Sequence, residues 1–332
     1  MNPWRADVLG PDWQQRDLAL PGGGIATLVR RTMAGAPPSD ASLPARPAVL
    51  YLHGFVDYFF QTHVANAFEA RGYRFYAIDL RGYGRSIGCG IEEGEPNYVP
   101  DIAVYAQDLD AAVAAIREEG HTGIAFHGHS TGGLIGPLWA NARPGLLAAM
   151  ALNSPWLELN ENWFLRVPAT GLISLVSRVA PTLKVSGLWP YYGEALHQGT
   201  GGEWEYNLAW KPHVGFPVAA AWFNSVRRAH RRIKRGLDVT CPILVLTSTK
   251  RGDNRRQHPE VITSDSVLNP AHMWALAPNL GSDVEVRTIP GGAHDLSLSP
   301  EPARSAYLDA TLNWLDAVTA GPATPPAPPA SA

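Results

Sequence analysis

Cysteine is scarce in this chain. Cys89 and Cys241 are the only two in 332 residues, and they lie far apart. That excludes a disulfide framework, and the separation fits neither a metal knuckle nor a redox pair. Charge of one sign is lacking too. The 27 Lys+Arg and 30 Asp+Glu leave a net charge of −3, which gives no electrostatic case for nucleic acid or an anionic membrane surface. No apolar run approaches the length of a membrane span. The start, Met1-Asn2-Pro3-Trp4-Arg5-Ala6-Asp7, has no charged segment followed by an apolar one, so no signal peptide is read. These absences predict a cytoplasmic protein with no nucleic-acid partner and no stable membrane insertion. Oligomeric state is not legible. A chain of 332 residues can bury a substantial core as one large domain, or one domain with an insertion.

Apolar runs alternate with helical periodicity. Residues 14–31 read as a hairpin around Pro21-Gly22-Gly23-Gly24, and residues 33–47 as an Ala/Pro/Ser-rich surface loop. Runs at 47–52, 74–79, 123–127 and 241–247 are those of strands buried on both faces of a parallel sheet. Residues 146–153 make a less β-branched strand, and 284–289 a last one. Helices are predicted at 62–71, at 101–119 through Ile102, Tyr105, Leu109, Val113 and Ile116, from Gly133, near Pro270, and at 301–318. The pattern predicts a doubly wound α/β sheet, mostly parallel and flanked by helices. It breaks between 155 and 236, where Pro168, Pro181, Pro190, Pro212 and Pro217 and six of the eleven tryptophans fall: Trp156, Trp163, Trp189, Trp204, Trp210 and Trp222. Residues 1–154 and 237–320 are therefore read as the core, 155–236 as a helical cap insertion, and the Pro/Ala-rich 321–332 as a disordered tail.

Gly128-His129-Ser130-Thr131-Gly132 is the most informative segment. A strand, a sharp turn and a helix meet there. Glycines on both sides leave no Cβ to clash, so Ser130 Oγ is presented at the tip and the Thr131 N–H is free near a helix N-terminus. A serine hydroxyl needs a histidine base, and the base needs an orienting acid. His294, in the Gly-rich loop Pro290-Gly291-Gly292-Ala293-His294-Asp295 after the last strand, is the candidate base. His129 is expected to point aside and His127 to be buried. Asp265 and Asp253 both fall between the strand at 241–247 and His294. Asp265 is favoured because it precedes a helix, while Asp253 sits among arginines and Asp283 starts a strand. Leu52-His53-Gly54-Phe55 ends the first buried strand, so the Phe55 N–H can join that of Thr131 as a second oxyanion donor. Substrate contacts are expected from His53, Tyr58, Trp156, Trp163 and Trp189. The basic run 227–235 is read as a solvated helix face.

His53-Gly54-Phe55, Asp79-Leu80-Arg81-Gly82-Tyr83-Gly84-Arg85-Ser86, the serine segment and Gly291-Gly292-Ala293-His294 together resemble the α/β-hydrolase fold. Within it the chain is similar to the monoacylglycerol lipase, lysophospholipase and serine aminopeptidase S33 group, over roughly 45–155 and 237–318. Asp265-Ser266-Val267-Leu268-Asn269-Pro270 is similar to that group's acid-bearing stretch, although residues 248–264 form a longer loop carrying Arg251, Arg255 and Arg256. The resemblance implies hydrolysis of a small-molecule carboxylic ester through an acyl-enzyme, with no metal or organic cofactor. A peptidase would need acidic groups in the cap for a free amine, for which Glu194, Glu203 and Glu205 are available. A silent ligand-binding fold has no need of both Ser130 and His294. Dehalogenase or epoxide hydrolase chemistry is disfavoured because it uses aspartate where Ser130 stands.

Overall fold

Pro21-Gly22-Gly23-Gly24 turns the chain as its composition predicts. Gly22 and Gly23 take φ of 82° and 86°, and Leu20 N–H closes the turn on Gly24 O at 2.8 Å. The turn joins β2 (Gly10–Ala19) to β3 (Ile25–Arg31) as an antiparallel pair. The computed structural model describes residues 2–32, 46–89, 96–160, 171 and 173–320. Trp163, the tail 321–332 and most of the 33–47 loop lie outside the described residues.

Nine strands form one sheet in the order β1-β2-β3-β5-β4-β6-β7-β10-β11. β1 (Arg5–Asp7), β2 and β3 make an antiparallel edge. β4 (Ala48–Leu52), β5 (Phe75–Asp79), β6 (Ile124–His129), β7 (Ala149–Asn153), β10 (Ile243–Ser248) and β11 (Val284–Ile289) are parallel. Alternation explains the continuous apolar runs. Leu50 and Leu52 enter the core beneath one face, with α2 (Tyr105–Glu118) and α3 (Gly132–Asn141). Val49 and Tyr51 enter the core on the other, with α1 (Thr62–Ala70) and the closing helix Ala303–Thr319. Burying both faces in this way is what a parallel sheet requires. β7 is shorter than the predicted 146–153 because the chain is still turning at Gly145, with φ of 75°.

The stretch between β7 and β10 is not all helical. It contains α4 (Tyr191–Leu196) and α5 (Ala220–Lys234), but also a two-stranded antiparallel sheet of β8 (Lys184–Ser186) and β9 (Val218–Ala219). Trp222, Val226, Ala229 and Ile233 of α5 are buried in the same core as α3. The basic run in α5 is therefore only partly a solvated face. Arg227 and His230 are buried: Arg227 pairs with Glu158, and His230 Nε2 lies 3.0 Å from Trp156 O. A fixed carboxylate and a backbone carbonyl on the loop after β7 draw these groups inward, which sequence spacing could not anticipate.

Register levels the strand ends. Leu52 pairs with Gly128, Gly128 with Leu152, and Leu246 with Asn153. The loops after β4, β6, β10 and β11 consequently emerge side by side at the carboxyl edge, where open α/β sheets build their sites.

Candidate active site

Ser130 sits at the end of β6 with φ of 50°, a conformation costly for a side-chain-bearing residue. Two backbone bonds hold it there. Ser130 N–H donates to Asn153 O at 3.0 Å, and Trp156 N–H donates to Ser130 O at 2.9 Å. Gly128 and Gly132 are needed for proximity. A Cβ on Gly128 would meet Phe126 at 2.7 Å and Gly132 O at 2.9 Å, and one on Gly132 would strike Leu52 O and lie 2.7 Å from His53 O. Helix α3 thus packs directly on the end of β4.

His294, Ser130 and Asp265 come together across 164 and 29 positions of chain. His294 Nε2 is 3.0 Å from Ser130 Oγ, and His294 Nδ1 is 3.0 Å from Asp265 Oδ1. Asp265 is fully buried. Its Oδ1 accepts the N–H groups of Val267 at 3.1 Å and Leu268 at 2.7 Å. The longer 248–264 loop folds back to anchor it: Asp265 N–H donates to Lys250 O at 2.9 Å, and Gly252 N–H donates to Asp265 O at 2.7 Å. Asp253 lines the cleft but is not paired with His294 among the described residues: its Oδ1 accepts Arg255 N–H at 2.9 Å and its Oδ2 lies 3.8 Å from exposed Arg256.

The loop after β4 lies against the serine. A Cβ on Gly54 would stand 3.2 Å from Ser130 Cβ. Among the described residues neither the Phe55 nor the Thr131 N–H has an acceptor, which leaves both available to a ligand oxygen. Phe55, Ser130, Thr131 and His294 line a cleft of about 920 Å³. Its wall carries an aromatic shelf. The Phe55 and Trp222 rings are 4.5 Å apart, and Trp222 stacks with Trp156 at 6.0 Å. Trp189 lines the cleft and is 53% exposed.

Two expected substrate contacts do not reach the cleft. His53 is buried beneath it, with Nδ1 2.7 Å from Gly54 O and Nε2 accepting Leu80 N–H at 3.1 Å. Tyr58 is buried against Phe60 and Trp210, and its hydroxyl accepts Asn207 N–H at 2.8 Å. Both are buried and bonded to protein groups, and neither lines the cleft. Trp204 and Trp210 also serve packing: Trp204 Nε1 donates to Leu298 O at 3.0 Å.

A buried polar layer that no motif announced lies beside His294. Asp295 receives Asn153 Nδ2 at 2.8 Å, Gln61 Nε2 at 3.2 Å and Ser297 Oγ at 2.7 Å. Burial works against its charge, but His129, the Ser297 and Asn153 donors and Lys211 outweigh that and hold the carboxyl well below the ordinary carboxylate range. His129 does not simply point aside. Its ring lines the cleft 5.0 Å from that of His294, and burial lowers its pKa despite the pull of Asp295. His127 is buried on the opposite face, bonded to Tyr307 Oη at 2.8 Å. Asp57, His129 and Asp295 offer atoms within 4.8 Å of one another, the one grouping with metal-ligand spacing among the described residues. Protein donors already serve both carboxylates, because Lys211 Nζ meets Asp57 Oδ1 at 2.7 Å. The only sequence signal for this layer was the adjacency of Asp295 to His294.

The sheet order, the strained turn after β6 and the levelled loops define an α/β-hydrolase. The family model Hydrolase_4 (serine aminopeptidase, S33) matches residues 44–301, and the chain belongs to that family. A monoacylglycerol lipase of Mycolicibacterium smegmatis is 24% identical over 274 residues, covering 81% of this chain and 88% of that protein. The structure of a soluble variant of monoglyceride lipase from Saccharomyces cerevisiae, in complex with a substrate analogue, superposes with a TM-score of 0.66 at 15% identity, covering 96% and 99% of the two chains. That of the Paleococcus ferrophilus monoacylglycerol lipase gives 0.62 at 19% identity, covering 82% and 96%. No helix among the described residues is long and apolar enough to cross a membrane.

Proposed function

We propose that this chain is a serine hydrolase cleaving carboxylic esters of apolar acyl or aromatic groups through an acyl-enzyme. The observation that carries the proposal is the 3.0 Å contact between His294 Nε2 and Ser130 Oγ, with buried Asp265 behind the same ring and an aromatic cleft in front. In this reading His294 takes the Ser130 proton as Oγ attacks the carbonyl carbon. The Phe55 and Thr131 N–H groups stabilise the oxyanion. His294 then protonates the departing alcohol, and afterwards activates water to release the acid. Asp265 keeps the imidazole in the required tautomer. Residues 155–236 act as the substrate-selecting cap, with α5 shared between cap and core. The ester specificity of the lipase relatives supports the same assignment.

An aminopeptidase would need an uncompensated anion near Ser130 to hold a free amine. None of Glu194, Glu203 and Glu205 lines the cleft, and Glu203 pairs with Arg304 at 2.6 Å. Asp57, Asp253 and Asp295 do line it, but Asp57 and Asp295 are already bonded to protein groups, and Asp253 accepts Arg255 N–H at 2.9 Å and lies 3.8 Å from Arg256. The test is turnover of p-nitrophenyl esters from acetate to palmitate, alongside aminoacyl-naphthylamides and a Ser130→Ala control. Ester turnover that depends on Ser130 is expected. Naphthylamide cleavage without ester cleavage would replace this assignment with the peptidase.

A further inference from the structure

Lys211 stands in the segment between α4 and β9 and lines the same cleft as Ser130. Its Nζ donates to Asp57 Oδ1 at 2.7 Å and lies 5.7 Å from the ring centroids of both Phe60 and Tyr206. The ammonium is thus held between a buried carboxylate and two aromatic faces. The other oxygen of Asp57 accepts Gly54 N–H at 3.3 Å. Between Gly54 and Asp57 are Phe55 and Val56, and Val56 has φ of 50°. A β-branched residue is an outlier in that conformation, which persists only where its surroundings enforce it. Asp57 bonds across the turn, and Lys211 bonds to Asp57. The same segment grips the next residue through Asn207 N–H on Tyr58 Oη at 2.8 Å and the Trp210 ring edge-on to Tyr58 at 5.1 Å.

We infer that Lys211 is a positioning residue for the oxyanion hole: through Asp57 it fixes the strained turn 54–57, so that the Phe55 N–H stays aimed at an oxyanion formed on Ser130. This rests on the hydrolase reading above. Its particular content is that a cap residue controls transition-state stabilisation without binding substrate. The charge of Lys211 is already compensated by Asp57.

The consequence is a split between kcat and KM. With p-nitrophenyl butyrate, Lys211→Met is expected to lower kcat by about tenfold to a hundredfold, as for a misaimed oxyanion donor, with KM within about twofold. A trifluoromethyl ketone, whose adduct carries the oxyanion, should weaken by the same factor. Lys211→Arg should restore most of both. Lys211→Met combined with Asp57→Asn leaves an acceptor for Gly54 N–H and no unpaired buried charge, so it guards against a folding defect. It should keep the kcat loss because the bridge to the cap remains cut. Unchanged kcat and ketone affinity in these variants, or a rise in KM alone, overturns the inference while wild-type turnover leaves the hydrolase reading standing. A wild-type protein with no Ser130-dependent turnover and no labelling by a fluorophosphonate overturns both.

Discussion

Asp265→Asn probes the candidate triad at its most buried point. One oxygen of Asp265 accepts from Val267 and Leu268 at 3.1 and 2.7 Å and faces His294 Nδ1 at 3.0 Å. Asparagine preserves the shape and an acceptor oxygen, so both backbone bonds can survive. Folding stability should change by no more than about 1 kcal/mol, the net worth of a single hydrogen bond. What disappears is the negative charge that favours an imidazolium as His294 takes the serine proton. The new NH2 can also turn toward Nδ1 and impose the wrong tautomer. In Ser-His-Asp sites this change costs on the order of ten-thousandfold in kcat, about 5 kcal/mol of barrier. Asp253→Asn is the matched control. It removes the charge of an exposed pair with Arg256 at 3.8 Å and keeps an acceptor for Arg255 N–H. Surface pairs of that kind are worth about 0–1 kcal/mol. Although Asp253 lines the cleft, it is not paired with His294 among the described residues, so the loss in kcat should stay far below that of Asp265→Asn. The assay is steady-state turnover of p-nitrophenyl butyrate with thermal melts in parallel. A loss below about tenfold for Asp265→Asn with the fold intact, or a larger loss for Asp253→Asn, refutes the assignment of the acid.

Ser130→Gly and Ser130→Ala should both be inactive, yet the glycine variant should be the more stable by about 1 kcal/mol, because φ of 50° strains alanine as it strains serine; equal melting temperatures would show that the turn stores no strain. Stability should also fall with acid. Burial, the larger cause, lowers His127 to about 4 and His230 to about 3, with Arg227 adding to the shift at His230. An unfolded histidine binds its proton near pH 6.5. The unfolded state therefore holds more protons between that value and the folded one, and this contribution, complete above about 6.5, drains away as the pH falls at about 1.4 kcal/mol per unit per histidine. Urea unfolding from pH 7 to 4 should show this, and His230→Gln should remove one histidine's share of the slope.

Much of the fold was legible because its signals are local. A strand covered on both faces must be apolar throughout, so β4, β5, β6 and β10 declared themselves within five or six residues each. Gly128 and Gly132 marked the serine because close approach of backbone leaves no alternative residue there. The glycine-rich loop after β11 marked His294 in the same way. Asp265 was favoured from its place before a helix, yet Asp253 satisfied the same loop spacing. Only the return of the 248–264 loop, with Asp265 bonded to Lys250 and Gly252, puts one of them behind His294. The substrate-facing side chains were least legible. Tryptophan carries no record of which way its ring turns, so Trp222, which lines the cleft beside the expected Trp156 and Trp189, could not be told from Trp204 and Trp210, which pack elsewhere.

The sequence by itself determined the alternation of strands and helices and the strained turn at Ser130, since each rests on residues within a few positions of one another. Tertiary structure alone decided that Lys211 meets Asp57, that the His129 ring lies beside His294 and Asp295, and that His53 and Tyr58 turn away from the cleft. Those outcomes depend on which distant donors and acceptors meet inside the protein. A buried charge takes whatever partner the packed chain brings within about 3 Å, and no spacing along the chain records that choice.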